Sequence, residues 1–452
     1  MSSPASRAGV ATPGPVALGT RLPIHSETAS GVAGLGTVGH VAAKGSLSVM
    51  FATELFPPTR HAGLARLQRF LPSAGRDYAR DRNIDFGPGR PGAVSQLSPY
   101  VRYRLVNEPE IVARVLEQHG LAASEKYVQE VLWRTYWKGW LELHPGVWKR
   151  FLDERDRDAE NFTDTRAVAD AEAGRTGLEG FDDWARELVE TGYLHNHVRM
   201  WFASIWIFTL GLPWTLGADF FLRHLIDADA ASNTLSWRWV AGLQTPGKTY
   251  LATTENIARF TNGRFAPTGL ARVAVALTEP TPDLARTLQA AQTPDPDKPA
   301  LLLVTSEDLN PGDLRVNRGQ IRAVSVVADD DLLWGDAARR FVRAAASDTA
   351  TRHEADLKCP VEVRGSLRAE DLIVAAQAAN ALQLITAYAP VGPTAESLLR
   401  ITPDLEREGL KLVQVRRDWD SRFWPHAKAG FFSFKKQIPA ILAQDRASSA
   451  GW

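Results

Sequence analysis

Apolar positions along this chain change their rhythm once, just after Thr268. Before that point they recur at three and four residues, the spacing of helices that bury one face. Leu64, Leu67, Phe70 and Leu71 carry it between Met50 and Gly75, and Phe181 to Leu188 is amphipathic. Lys126 to Leu143 predicts a longer helix, and Asp153 to Arg175 a charged, solvated helix or loop. A Gly/Pro loop falls at Gly87 to Gly92, and Ser98-Pro99 is placed to open a helix, since proline is favoured in the first turn. After Thr268 a Pro/Asp-rich stretch from Glu279 to Pro299 predicts a linker with a short helix inside it. Short unbroken apolar runs follow at Ala300–Thr305 and Ile321–Ala328, the pattern of strands buried on both faces. Further strands are predicted at Val361–Val363, Leu384–Tyr388 and Leu410–Val415. They alternate with helices around Ala337–Ala346, Ala369–Leu382 and Thr394–Leu399, so the fold class is helical followed by α/β with a mostly parallel sheet.

The densest stretch runs from Thr191 to Trp239. It has a polar start (His195, Asn196, His197, Arg199), an aromatic-rich apolar run, an acidic loop (Asp227, Asp229, Asn233) and a Trp-Arg-Trp close. Five of the fourteen tryptophans stand in it, at 201, 206, 214, 237 and 239, more than an ordinary core requires. Met200 to Ala218 is uncharged, which meets a membrane-span threshold, but Gly211-Leu212-Pro213 leaves only the length of a buried helix.

Composition narrows this picture little. The 452 residues suffice for two or three domains, and fifty-two basic residues balance fifty-two acidic ones, so no global positive field points to nucleic acid. The single cysteine, Cys359, excludes an internal disulfide framework and fits a reducing, cytoplasmic setting. Residues 1–49 read as a disordered tail without a secretory signal.

Candidate chemistry sits on two elements. Glu130, Trp133, Arg134 and Trp137 fall at i, i+3, i+4 and i+7, one face of a helix, suited to stacking on a flat ligand or, alternatively, to a core stripe with an internal Glu–Arg pair. Asn196, Arg199 and Met200 share a second helical face. Asp227-Ala-Asp229 fails as a calcium loop, because Ala231, Ser232 and Arg238 occupy positions that need a ligand, a glycine and a glutamate. His195 and His197 are two apart on a helix and cannot easily share a metal, so no metal site is expected; no Walker loop and no G-x-G-x-x-G occurs.

Several of these motifs in order resemble the flavin-binding domain of the photolyase/cryptochrome family. They are Tyr78…Arg82, SQLSPY (95–100), EVLWRTYW (130–137), TGYLHNHVRM (191–200) and LIDADAASNTLSWRW (225–239), spanning about Gly63 to Gly242. The resemblance implies FAD held bent in an all-helical domain. Tyr78, Ser95, Gln96, Leu97 and Ser98 would take its phosphates, Asp227 and Asp229 its adenosine and flavin side, with Arg134, Asn196 and Arg199 beside them and Arg199 paired to Asp227. Asn233 would lie at flavin N5, a choice that tolerates a reduced, anionic flavin. For a cyclobutane pyrimidine dimer flipped out of DNA, Trp133 and Trp239 would stack on the lesion, Glu130 and Asn196 would bond its base edges, and Met200 would pack beneath. The reaction implied is that of a deoxyribodipyrimidine photo-lyase, a carbon–carbon lyase in which light-excited reduced FAD lends the dimer an electron. Asn196 and Met200 favour the cyclobutane over the (6-4) class. Trp237 and Trp214 match the inner and middle members of an electron-transfer chain; the outer one falls near Asn161 and Phe162, with Trp201 or Trp206 as substitutes.

The expected organisation is a tail over 1–49, a helical FAD-binding domain over 50–270, a linker over 271–298, a small Rossmann-like, antenna-like α/β domain over 299–442 and a C-terminal tail over 443–452. Family members normally begin with the α/β domain, so this order reads as a circular permutation, and a second antenna chromophore is left unassigned. His197 stands where dimer-repairing members carry arginine, and residues 249–264 replace a family motif. Arg134, Lys138, His197, Lys248, Arg259 and Arg264 are the expected DNA contacts. The primary reading is a monomeric enzyme, off the membrane, acting on damaged DNA with a thymine dimer in duplex or single strand; the alternative is a cryptochrome-like photoreceptor without repair.

Overall fold

A computed structural model describes residues 54–449 except 91, 282 and 283; the tail expected over 1–49 lies outside them. Helices fill the chain to Phe260, and an all-parallel five-stranded sheet follows. The helices used below are α1 (Arg60–Phe70), α2 (Arg76–Asp81), α3 (Ser98–Arg102), α4 (Glu108–Leu143), α5 (Gly146–Asn161), α6 (Thr165–Glu172), α7 (Phe181–Thr191), α8 (Asn196–Ser204), α9 (Trp214–His224), α10 (Ala230–Ala241) and α11 (Thr254–Phe260).

The local signals act where they stand. Asn107 caps α4 by accepting from the Glu110 N–H at 3.1 Å, with Pro109 in the first turn. Gly120 (φ 68°) breaks α4 midway, so the predicted Lys126–Leu143 helix is the second limb of a longer rod. Asp229 caps α10, and Gly242 (φ 82°) ends it in the left-handed region, where a Cβ is disfavoured. The apolar run after Met200 divides as its glycine and proline dictate. Helix α8 closes in a π-turn at Ile205–Thr209, and α9 restarts after Pro213. No helix among the described residues is long and apolar enough to cross a membrane.

Strands β1 (Ala300–Val304), β2 (Ile321–Val327), β3 (Val361–Arg364), β4 (Gln383–Ala387) and β5 (Lys411–Val415) pair in the order β3-β2-β1-β4-β5. Helices α12 (Asp336–Leu357), α13 (Ala369–Ala378) and α14 (Pro393–Arg407) connect them, and α15 (Asp418–Phe423), α16 (Phe431–Lys435) and α17 (Ile438–Ser449) follow β5. Alternate β1 residues enter different cores, as a pleat of period two requires. Ala300, Leu302 and Val304 share the large core of the helical half with Phe341, Trp419 and Phe423. Leu301 and Leu303 pack with Leu372, Leu384 and Leu398 on the far face.

One expected element is absent. No helix forms among the described residues of 271–298; the segment is an extended strap whose backbone bonds go to the helices it crosses. Leu277 N–H donates to Ala241 at 3.0 Å and Arg286 N–H to Leu143 at 2.8 Å. Pro280, Pro294 and Pro296 confine any helix to the residues between them.

The approach of α9 to α10 is set by Gly217. A Cβ there would stand 2.4 Å from the Trp237 ring and 2.9 Å from Trp206, both fully buried. Helix propensity alone would favour alanine by about 1 kcal/mol. The overlap costs about 1–3 kcal/mol, so Gly217→Ala should give a net loss. A lower urea midpoint at unchanged slope is the expected result, and an unshifted midpoint would show that the indoles yield.

Candidate functional site

A cavity of about 570 Å³ opens among α2, the 94–98 loop, α4, α8 and α10, within the range of small-ligand sites. Each element turns into it for a local reason. The spacing read on α4 puts Glu130, Trp133, Arg134 and Trp137 on one wall. Tyr78 of α2 is buried there, edge-on to Tyr127 at 4.9 Å, and burial, with Glu130 near by, drives its phenol well above the usual range. Ser95, Gln96, Leu97 and Ser98 form a second wall, where the chain turns through a left-handed Gln96 (φ 51°) whose amide is held by Arg66 at 2.8 Å. Asn196, Arg199 and Met200 of α8 supply a third, and Asn233, Trp237 and Trp239 of α10 a fourth.

The polar groups are pre-set. Arg199 forks onto Asp227 at 3.1 and 3.2 Å, and Arg134 lies 3.5 Å from both Asp227 and Asp229. Asp229 stands behind the lining and binds Arg102 (3.4 Å) and Lys138 (3.6 Å), and it caps α10 through Ser232 N–H at 2.6 Å. Glu307, in the loop after β1, closes the network on Arg102 (2.8 and 2.9 Å) and Lys138 (3.5 Å). Burial alone would raise the Asp229 carboxyl, but Lys138, Arg134 and Arg102 outweigh it and hold the group well below the usual range. Asp227 is lowered in the same way, with Arg199 and Arg134 overcoming burial. Four cations face three carboxylates, which leaves one positive charge over for an anionic ligand.

Glu130 accepts from the Asn196 amide at 3.3 Å; burial pushes its carboxyl up, opposed by Arg82. Asn233 donates to the Ala218 carbonyl at 2.8 Å, so the amide oxygen remains as its acceptor. The Ser232 hydroxyl and the Trp237 indole N–H are buried at the cavity and have no hydrogen-bond partner among the described residues. Orphaned donors beside a surplus cation and apolar walls fit a flat, anionic dinucleotide such as FAD.

The predicted DNA contacts do not gather at one surface. Lys138 is buried between Asp229 and Glu307, which removes it as a DNA contact. His197 is also buried, its imidazole against the Asn83 carbonyl (3.0 Å) and the Tyr250 hydroxyl (3.1 Å), with desolvation lowering its pKa. It lines the cavity as a buried imidazole whose lowered pKa disfavours the cation expected at a DNA backbone. Arg134 points inward and serves the cavity alone. Arg264 is spent on Asp85, while Lys248 and Arg259 are exposed and do not line the cavity. Trp214 does not line the cavity and meets Phe151 at 5.5 Å. Trp201 and Trp206 are fully buried, so neither reaches solvent as an outer electron donor must.

Tyr127, Ser232 and Ser236 also line the site. Tyr127 is three residues before Glu130 and shares its stripe, a spacing readable in the sequence; the serines needed the fold. Phe431 of α16 stacks on Trp133 at 3.6 Å and 11°, a contact that no local pattern announces.

Residues 127–264 match the family model of the FAD binding domain of DNA photolyase. The chain is 35% identical over 154 residues to a deoxyribodipyrimidine photo-lyase of Streptomyces griseus, covering 34% of this chain and 33% of that protein. It is 33% identical over 193 residues to one from Thermus thermophilus, covering 43% and 45%. The chain thus spans less than half the length of these curated relatives. Among solved structures, a class III photolyase from Agrobacterium tumefaciens aligns with a TM-score of 0.41 at 24% identity, over 48% of this chain and 45% of that one. A cryptochrome from Synechocystis sp. PCC6803 aligns with 0.38 at 25% identity, over 45% and 43%.

Proposed function

From the photolyase/cryptochrome family to which its FAD-binding domain belongs, we propose that this chain is a blue-light-driven enzyme that splits cyclobutane pyrimidine dimers in DNA. The observation that carries the reading is the shared wall on α4. A half-buried Trp133 face and the Glu130 carboxyl, bonded to Asn196, stand in the same cavity as the Asn233 amide and the Arg134–Asp227–Arg199 cluster. One part suits a dinucleotide, the other a pair of planar bases. Reduced FAD, when bound, supplies the electron that opens the dimer.

The chain's own residues do the rest. Arg199 and Arg134 hold Asp227 ionised and fixed, so the polar wall does not reorganise during turnover. The Ser95–Ser98 turn and the orphaned Ser232 hydroxyl offer donors to phosphate oxygens. Asn233 presents its amide oxygen as an acceptor to a ring N–H. Trp133 and Trp239 give flat surfaces for the dimer, Met200 an apolar floor, and Glu130 with Asn196 a donor–acceptor pair for base edges. In this reading helical-first order is a permuted arrangement of the family's two parts.

The test is direct. Purified, photoreduced protein is given an oligonucleotide with one thymine dimer, and dimer loss is followed under blue light and in the dark. Loss only in the light is expected. FAD bound and reduced without dimer loss would sink the repair reading and leave the photoreceptor; no FAD bound would sink both.

A further inference from the structure

Among the described residues, Phe432 is the only aromatic side chain in the set of exposed large apolar groups, at 80% exposure. Its neighbours are fully engaged. Phe431 stacks on Trp133 at 3.6 Å and Phe434 is buried against Phe423, while the Ala429 carbonyl accepts from the Tyr136 hydroxyl at 2.9 Å. Helix α16 is therefore pinned to the outer side of the cavity wall by α4 itself, with one ring left facing water.

The segment that carries that ring has one sign of charge. Lys435 Nζ lies 5.9 Å from its centre, and Lys428 and Lys436 are exposed close by in sequence. From Ser421 to Gln444 the chain has no acidic residue. No ion pair engages Lys428, Lys435 or Lys436 among the described residues. A lone exposed ring is too small for a protein helix to bury, whereas a ring among unneutralised lysines suits a base and its flanking phosphates.

We infer that the Lys428–Lys436 segment is a docking surface for a nucleic-acid strand, in which Phe432 stacks on an unpaired base beside the cavity and the lysines take the adjoining phosphates. The inference rests on the repair reading for the identity of the strand. Because Phe431 backs Trp133, the docked base and the stacking plane inside the cavity would be held by one rigid unit.

The experiment uses the full-length, FAD-loaded protein and a fluorescently labelled single-stranded 12-mer, with and without a thymine dimer, read by anisotropy. Phe432→Ala should weaken binding of both oligonucleotides about tenfold, and Phe432→Trp should retain it. Lys428→Ala and Lys436→Ala should each reduce the slope of log affinity against log salt by about 0.7. Unchanged flavin absorbance reports that the variants are folded. Affinity within twofold of wild type in Phe432→Ala, or an unaltered salt slope in both lysine variants, overturns the surface. Wild-type protein that binds through Phe432 but repairs nothing in the light leaves the surface standing and removes the repair reading. Repair with no effect of Phe432→Ala on affinity does the reverse.

Discussion

Asp229→Asn should cost about 3–5 kcal/mol of stability and most of the bound flavin, although it replaces one oxygen by one nitrogen. The side chain lies 4% exposed with Arg102, Arg134 and Lys138 at 3.4 to 3.6 Å. Neutralising it leaves these cations with Asp227 and Glu307 alone, in a place water does not reach. The cap is not the cause of the loss, since asparagine caps a helix about as well as aspartate. Asp164 provides the matched control. It caps α6 by accepting from the Ala167 N–H at 3.0 Å but is exposed, so Asp164→Asn should stay within about 0.5 kcal/mol. Equal losses in the two variants would show that the capping bond, not the buried charge, is what matters.

The same site predicts its own pH dependence. Asp229 titrates lower folded than unfolded, so its contribution is complete above about pH 5 and is lost as pH falls through 4 toward its folded value. Over that window the unfolded chain binds the proton and the folded one does not, which makes stability fall with pH. The gap between wild type and Asp229→Asn should therefore narrow in acid. A gap constant from pH 7 to pH 3 would contradict the shift.

What the sequence disclosed and what it hid divide by range. Strands, most helices and the Glu130–Trp133–Arg134–Trp137 wall follow from local periods, so they were readable. Lys138 was not. A lysine on an amphipathic helix reads as a surface cation, and only Asp229 and Glu307, brought to it from other segments, explain its burial. Likewise His197 looks like a charge at a helix start until Asn83 and Tyr250 are brought to it from other segments. Phe431 reaches Trp133 across about three hundred residues of chain, a pairing that no spacing rule encodes. The strap over 271–298 misled for another reason. Its residues allowed a helix locally, but the Leu277 and Arg286 amides donate instead to carbonyls of α10 and α4.

Glu130→Ala and Trp133→Ala should separate the two halves of the repair reading. Trp133 offers the ligand a plane already fixed on its other side by Phe431, so its loss should appear in affinity, from about fivefold to about a hundredfold. Glu130 bonds Asn196 at the cavity wall and would act where charge develops on the dimer, so its loss should appear at saturating substrate, tenfold or more per absorbed photon. The two stand one helical turn apart and would touch one ligand, so the double variant should depart from the product of the singles. Fold can be kept apart from function through Glu130→Gln. Burial raises the Glu130 carboxyl, so holding it ionised near neutral pH costs the folded state stability, and the amide should be neutral or stabilising. A Glu130→Gln protein with wild-type flavin content, an equal or higher melting temperature and reduced repair would place the group in the reaction. Wild-type affinity and wild-type photon yield in both alanine variants would return the α4 stripe to the role of core packing, and the repair reading would fall with it.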